Sequence, residues 1–412
     1  MKIFQKGSHL YYKIHYIVDL SSVNLLLLSL NKEDIKTLFK TNFIIYKCVS
    51  MHFENVAATI GNTPLVKLNN VVSGIIPATV YAKVEGYNPG HSAKDRVAKY
   101  MIEQAEKKGL LKPGGTVIEA TSGNTGYSLA MVSAIKGYRC VLTVTSKAGQ
   151  EKLALLRSLG AEVVICPADV QPEDPRSYYS RAEQLERDIP NSCYLRQNWN
   201  KDNPLAHYHS TGPEIWEQTE GKITHYVCCA GTGGTLSGTA QYLKEKNPNI
   251  RIIGVDAYGS VLKKYWETGL FDKNEIYSYK VEGLGKTIIP DNVDFDVIDD
   301  FIKVTDRNSA LRARDLARRE GLMVGYSSGS ALEGAIKLRH QLKPSDVVVV
   351  LLPDHGSRYL GKIYNDEWMK QQGFLSQHGE PVNPYSYHHM KRVYKVYRRK
   401  YGRYIRKSLL LD

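Results

Sequence analysis

Four short segments hold residues whose types and order point to chemistry. The first is His91-Ser92-Ala93-Lys94-Asp95-Arg96, directly after the turn-forming Asn88-Pro89-Gly90. A lysine taken alone is usually a solvated surface group. On a rigid element its amine can instead form a Schiff base with an aldehyde cofactor. The second, Thr121-Ser122-Gly123-Asn124-Thr125-Gly126, offers backbone N–H and hydroxyl donors suited to an amino-acid carboxylate. The third, Gly231-Thr232-Gly233-Gly234-Thr235, has the form of a phosphate cradle, in which glycines let successive N–H groups converge at a helix N-terminus. It is not a nucleotide P-loop, because the chain holds no G-x-x-x-x-G-K-[ST] run. The fourth, Gly325-Tyr326-Ser327-Ser328-Gly329-Ser330, places a serine where its hydroxyl could meet a heterocycle nitrogen or simply cap a helix.

These segments must be positioned by regular elements, and the stretch from Glu54 to about Phe374 alternates β-branched runs with helical patterns. That alternation predicts an α/β protein. Strands are expected at Thr79 to Val84, Thr116 to Glu119, Cys140 to Val144, Glu162 to Cys166, His225 to Ala230, Arg251 to Asp256 and Val347 to Leu352. The unbroken apolar character of the last two predicts parallel strands covered on both faces, in two sheets. Helices are expected over Lys94 to Lys108, Gly126 to Ile135, Gln150 to Leu159, Leu236 to Glu245 and Ala331 to Leu338, with Gly109, Gly137 and Gly160 ending the first three. No linker or internal repeat separates the two halves, so a cleft between them is the expected ligand site.

Composition narrows the function classes. A 412-residue chain that is 42% hydrophobic can bury large cores. Its net charge of +13 lies at the ends: seven lysines against three acidic residues in 1–50, and nine lysines or arginines against Glu380 and Asp412 in 375–412. The stretch between is nearly neutral. No nucleic-acid-binding fold is expected, beyond weak, salt-sensitive contacts of the tail. The apolar run Val23 to Leu30 is too short for a membrane helix and lacks a clean cleavage site behind it. The six cysteines have no C-x-x-C spacing, which argues against a disulfide framework or a metal site and for a reducing cytoplasm. We therefore expect an N-terminal extension over 1–50, a catalytic core over 51–374 and a basic, tyrosine-rich tail over 375–412. Within that tail, Tyr394, Tyr397, Tyr401 and Tyr404 recur at helical spacing.

Together the four segments resemble those of the fold type II pyridoxal-phosphate enzymes, specifically the cystathionine β-synthase and cysteine synthase family. The resemblance runs from Gly61-Asn62-Thr63-Pro64-Leu65-Val66 through Lys94-Asp95-Arg96 to Ser327. It implies two lobes of mostly parallel sheet flanked by helices, a smaller mobile one over about 91–200 and a larger one from 51–90 and 201–374, with the active site between them. It implies that Lys94 binds pyridoxal 5'-phosphate as a Schiff base and that Asn124 contacts the cofactor's ring hydroxyl. By the same resemblance Gly231, Thr232, Gly233, Gly234 and Thr235 hold the phosphate and Ser327 meets the pyridine nitrogen. Thr121, Ser122, Thr125 and Gln197 would bind the substrate carboxylate. A homodimer is implied as well.

Within the family, Asp174 to Tyr179, Asn203 to Tyr208, Val281-Glu282-Gly283-Leu284-Gly285 and Trp368 to Phe374 with Pro353-Asp354 look more like cystathionine β-synthases than cysteine synthases. The expected reaction is β-replacement on serine by homocysteine through an aminoacrylate. The alternative is cysteine synthase chemistry, with O-acetylserine and sulfide; a serine or threonine dehydratase ranks third. Lys286 stands where the cystathionine synthases carry a tyrosine, which bears on the second substrate. The haem segment and C-terminal regulatory module of animal members are not expected here. Two other classes were weighed: a non-catalytic binding protein, against which Lys94, Asn124 and Ser327 speak, and a polyanion-binding protein acting through the tail.

Overall fold

The computed structural model describes residues 52–171 and 173–382. The expected extension over 1–50 and the tail beyond 382, with its tyrosine spacing, lie outside the described residues.

Ten strands are present among these residues: β1 (Leu65–Lys67), β2 (Thr79–Val84), β3 (Thr116–Ala120), β4 (Arg139–Thr145), β5 (Glu162–Cys166), β6 (Ser192–Tyr194), β7 (His225–Cys229), β8 (Arg251–Ala257), β9 (Asp300–Val304) and β10 (Val347–Leu352). They form two sheets, one of six strands in the order β1-β2-β10-β7-β8-β9 and one of four in the order β5-β4-β3-β6. Every pairing is parallel except β1 with β2. The run Val347 to Leu352 sits centrally, between β2 and β7, and is buried from Val348 onward. An uninterrupted apolar strand is stable only where both faces are covered, which is the position this one takes.

Among the described residues, four helices open at or near the chemical segments. Helix α1 (Lys94–Lys107) buries Val97, Met101 and Ala105 along one stripe. Helix α2 (Asn124–Lys136) ends on Gly137 at φ 75°, where a left-handed residue closes the last turn. Helix α3 (Gln150–Ser158) follows β4, α4 (Tyr178–Asp188) precedes β6, and α5 (Asp202–Tyr208) and α6 (Thr211–Gln218) lead to β7. Helix α7 (Gly234–Lys246) follows β7, α8 (Leu262–Thr268) follows β8, α9 (Asp306–Glu320) and α10 (Tyr326–Lys337) lie between β9 and β10, and α11 (Asp366–Gln371) follows β10. The expected elements are all found, with ends shifted by a residue or two, except that α10 begins five residues before the expected Ala331.

Three strands were not expected. β1 and β6 are only three residues long, too short to show alternation, and β9 mixes Asp300 and Lys303 with its apolar residues.

Candidate active site

In open parallel sheets, ligands bind beyond the carboxyl ends of the strands. Here the turns that leave β3, β7 and β10 converge on one cavity of about 830 Å³. Lys94, Thr121, Ser122, Asn124, Thr125, Gln197, Gly231, Thr232 and Ser327 all line it. Gly233, Gly234 and Thr235 continue the same turn into α7 without lining the cavity.

Lys94 is the first residue of α1, and the segment before it is clamped to the end of β10. Ala93 N–H donates to Pro353 C=O at 2.9 Å, and His355 N–H to His91 C=O at 3.0 Å. Next in the chain, Asp95 accepts from Gly90 N–H and from the Ser128 hydroxyl, each at 2.5 Å, which ties α1 to α2. Arg96 donates to both Glu85 oxygens, at 2.7 and 2.9 Å, and to Glu214 at 2.6 and 2.8 Å. Burial would raise the Glu85 carboxyl, but Arg96 and Lys83 bring it down to about 2. The Lys94 side chain itself makes no hydrogen bond or ion pair among the described residues. Burial lowers its pKa from the ordinary value. A fixed, unpaired amine that loses its proton readily is a nucleophile and a base.

The segment 121–125 crosses from β3 to α2. Among the described residues the N–H groups of Ser122, Asn124 and Thr125 have no acceptor, as expected of a helix start. The Thr125 hydroxyl donates to Gln197 Oε1 at 2.6 Å. Behind it, the buried Glu119 accepts from the N–H of Ala120 at 2.9 Å and of Gln197 at 3.1 Å. Burial pushes the Glu119 carboxyl up to about 8 despite those donors.

The segment 231–235 crosses from β7 to α7, and Gly233 adopts φ 93°, a conformation that side chains other than glycine's rarely permit. The N–H groups of Thr232, Gly233, Gly234 and Thr235 have no acceptor among the described residues. Neighbouring chain packs hard against the turn: a Cβ on Gly234 would lie 1.9 Å from Asn203 Oδ1. Asn203 in turn donates to the Thr232 hydroxyl at 3.0 Å. The Thr235 hydroxyl lies 3.1 Å from His207 Nε2, and His207 Nδ1 lies 2.8 Å from the Thr211 hydroxyl. Burial and the charge of Lys94 push His207 down to about 3, so the imidazole is neutral.

Ser327 lies in the first turn of α10, whose N-cap is Gly325, so it does not cap the helix. Its hydroxyl makes no hydrogen bond among the described residues and lines the cavity. Asn124 is held more tightly than sequence suggested. Its Nδ2 donates to Asp354 Oδ2 at 2.8 Å, and its Oδ1 accepts from Arg358. Arg358 also donates to Gly90 C=O at 2.6 Å and stacks 4.5 Å from the Tyr127 ring centre. Asp354 is buried and accepts from the Tyr359 hydroxyl at 2.7 Å; burial raises its pKa above the ordinary value. Sequence reasoning assigned no role to Glu119, His207, Asp354 or Arg358. Unpaired N–H donors at the 121–125 turn, an unpaired amine and an unpaired hydroxyl on one cavity, with the unpaired N–H groups of 232–235 running from its wall into α7, fit the pyridoxal phosphate that the resemblance implies.

Comparison with known proteins agrees with that fit. Residues 56–354 match the family model described as pyridoxal-phosphate dependent enzyme. The chain is 46% identical over 322 residues to the cystathionine beta-synthase of Apis mellifera, covering 78% of this chain and 63% of the bee protein. It is 44% identical over 330 residues to the cystathionine beta-synthase of Rattus norvegicus, covering 80% of this chain and 58% of the rat protein. The chain thus spans about three-fifths of the length of these curated relatives. A crystal structure of a hydrogen sulfide-producing enzyme from Fusobacterium nucleatum is similar with a TM-score of 0.69 and 34% identity, covering 75% of this chain and 99% of that one.

Proposed function

The chain belongs to the family of pyridoxal-phosphate dependent enzymes, and on that premise we propose that it replaces the β-hydroxyl of serine with the thiol of homocysteine, giving cystathionine. The observation that carries this reading is the unpaired Lys94 amine in a cavity ringed by unpaired donors, in a chain similar to cystathionine beta-synthases.

The N–H groups of 232–235, at the positive end of α7, hold the cofactor's phosphate. Lys94 anchors its aldehyde, Asn124 meets its ring hydroxyl and Ser327 its ring nitrogen. Bound there, pyridoxal phosphate supplies an electron sink for charge that develops at the substrate Cα. The 121–125 turn binds the substrate carboxylate with its N–H groups, and Gln197 fixes the Thr125 hydroxyl for the same task. Lys94, once free, takes the proton from Cα, a role favoured by burial, which lowers its pKa from the ordinary value. Ser327 offers a neutral donor rather than a charged one, which suits loss of a β-substituent more than transamination. Closure of the smaller lobe, about 91–200, over the larger keeps water out while the β-substituent is exchanged.

A second reading is cysteine synthesis from O-acetylserine and sulfide, which calls on the same residues with another leaving group and another thiol. We further propose a reducing cytoplasm, supported by five free, buried cysteines among the described residues, and a homodimer, which rests on the family resemblance alone. Purified protein loaded with pyridoxal phosphate should convert serine and homocysteine to cystathionine, read by mass spectrometry. Turnover of O-acetylserine with sulfide alone would overturn the assignment, and keto-acid release without a thiol would point to a dehydratase.

A further inference from the structure

A second lysine lines the cavity. Lys286 follows Gly283 and Gly285, which take φ 80° and 76°, in the segment between β8 and β9. Its backbone is pinned on both sides. Gly285 N–H donates to Ala230 C=O at 2.7 Å, Lys286 N–H to the Ser260 hydroxyl at 2.9 Å, and Val261 N–H to Lys286 C=O at 3.0 Å. The side chain then reaches across the cavity wall, where Nζ donates to Asn198 Oδ1 at 2.9 Å. Asn198 is 2% exposed and adjoins Gln197, so the ammonium lies on the side of the cavity where the substrate carboxylate is bound.

Three features make this lysine unusual. An ammonium has three protons, and one hydrogen bond accounts for only one of them. Lys286 has no ion pair with a carboxylate among the described residues. Its one electrostatic neighbour of opposite sign is Glu119, whose own proton is retained to about pH 8 and which therefore carries little charge near neutrality. Burial and the charge of Lys94 push Lys286 down to about 8, which leaves it largely protonated at neutral pH. A partly buried cation with one neutral hydrogen-bond partner and no countercharge is well placed to take an anionic ligand. The carboxylate of the first substrate already has its own takers in the 121–125 turn and Gln197. What remains is an anionic group on the second molecule.

We propose that Lys286 is a specificity-determining residue whose ammonium takes the carboxylate of an incoming thiol, so that the cleft prefers thiols bearing a carboxylate over neutral ones. This rests on the β-replacement reading. Asn198, held in turn by the Tyr179 hydroxyl at 3.3 Å, orients the ammonium for that contact.

The test uses the full chain loaded with cofactor, as wild type, Lys286→Met and Lys286→Arg. With serine saturating, KM is measured for homocysteine, 3-mercaptopropionate and 2-mercaptoethanol. Loss of one partly buried charge-assisted contact should raise KM for the two carboxylate thiols about tenfold in Lys286→Met. KM for 2-mercaptoethanol and for serine should stay unchanged, and Lys286→Arg should keep most of the wild-type preference. An equal rise for the neutral thiol, or a rise for serine, overturns the proposal. So does a fall in kcat with serine that O-acetylserine restores, which would assign the cation to the leaving group. If wild type makes no thioether from serine, the β-replacement reading fails but this one is still decided, by calorimetric titration of 3-mercaptopropionate into each holoenzyme. Weaker binding to Lys286→Met supports the proposal, and equal binding overturns it.

Discussion

At the scale of single residues, the chemistry rests on a lysine that has nothing to bind among its described neighbours and a glycine that tolerates no side chain. Removing the amine should abolish turnover, by ~10³-fold or more for Lys94→Ala, since base catalysis and cofactor anchoring are lost together. The absorbance of the lysine-bound cofactor should disappear with it; retention of both would remove Lys94 from the mechanism. Because burial lowers the Lys94 pKa, the base limb of the pH–rate profile should fall below 10.5, the ordinary lysine value. Gly234→Ala should weaken cofactor binding severely, because its Cβ would lie 1.9 Å from Asn203 Oδ1 and the turn would have to open. Equilibrium dialysis with pyridoxal phosphate reads that loss directly. Lys94 and the glycines were legible in the sequence only together, from the order of four short segments, because a lysine or a glycine turn alone is commonplace. Asp354 and Arg358 were not, since their contacts to Asn124 join positions more than two hundred apart in the chain.

At the scale of elements, the mouth of the cavity is crossed by a three-residue ion pair. Glu282, from the segment before Lys286, pairs with Lys152 of α3 and with Lys362, which follows β10. Burial would raise the Glu282 carboxyl, but the two lysines hold it below its ordinary value. Half-exposed pairs of this kind add little stability, about 0–1 kcal/mol, so their effect should be on closure rather than on folding. Glu282→Gln should therefore leave the melting temperature nearly unchanged while raising KM for serine severalfold. Wild-type KM should also climb between roughly 0.05 and 0.5 M salt as screening weakens the pairs, whereas that of Glu282→Gln should not. A salt response shared by both proteins would dismiss the latch. The helix that starts at Lys94 was readable from its apolar stripe, whereas the one that starts at Tyr326 is buried nearly all round and has no stripe to mark its first turn. The short strands β1 and β6 were not readable, because three residues form a strand only when a neighbouring strand supplies the partner.

At the scale of the whole molecule, buried ionisable groups set how the fold responds to acid. His207 is held near 3 against an ordinary 6.5, and Glu85 near 2 against 4.5. A depressed folded-state pKa gives stability that is complete above the unfolded value and is lost as pH falls towards the folded one. The His207 contribution thus drains away below 6.5 and that of Glu85 below 4.5. Asp95 runs the other way: raised to about 6 from 3.8 by burial, its contribution is complete below 3.8 and is lost as pH rises through 6. Between 6.5 and 4 the loss of the His207 contribution alone acts to drop the melting temperature, against the gains from Asp95 and from Glu119, whose carboxyl is raised to about 8. His207→Gln should lower the melting temperature at neutral pH yet flatten that drop, as followed by circular dichroism. A drop of equal steepness in both proteins would remove His207 as its source.

The sequence alone determined the α/β class and the order of the four chemical segments. Those features are written locally, in glycine turns, apolar periodicity and helix starts. Only the tertiary structure decided which groups surround Lys94: the neutral His207 behind Thr235, the Asp354–Arg358 grip on Asn124, and Lys286, held by Asn198, on the same cavity. Burial and proximity between distant positions set the charge of each, and neither quantity is encoded in any single stretch of chain.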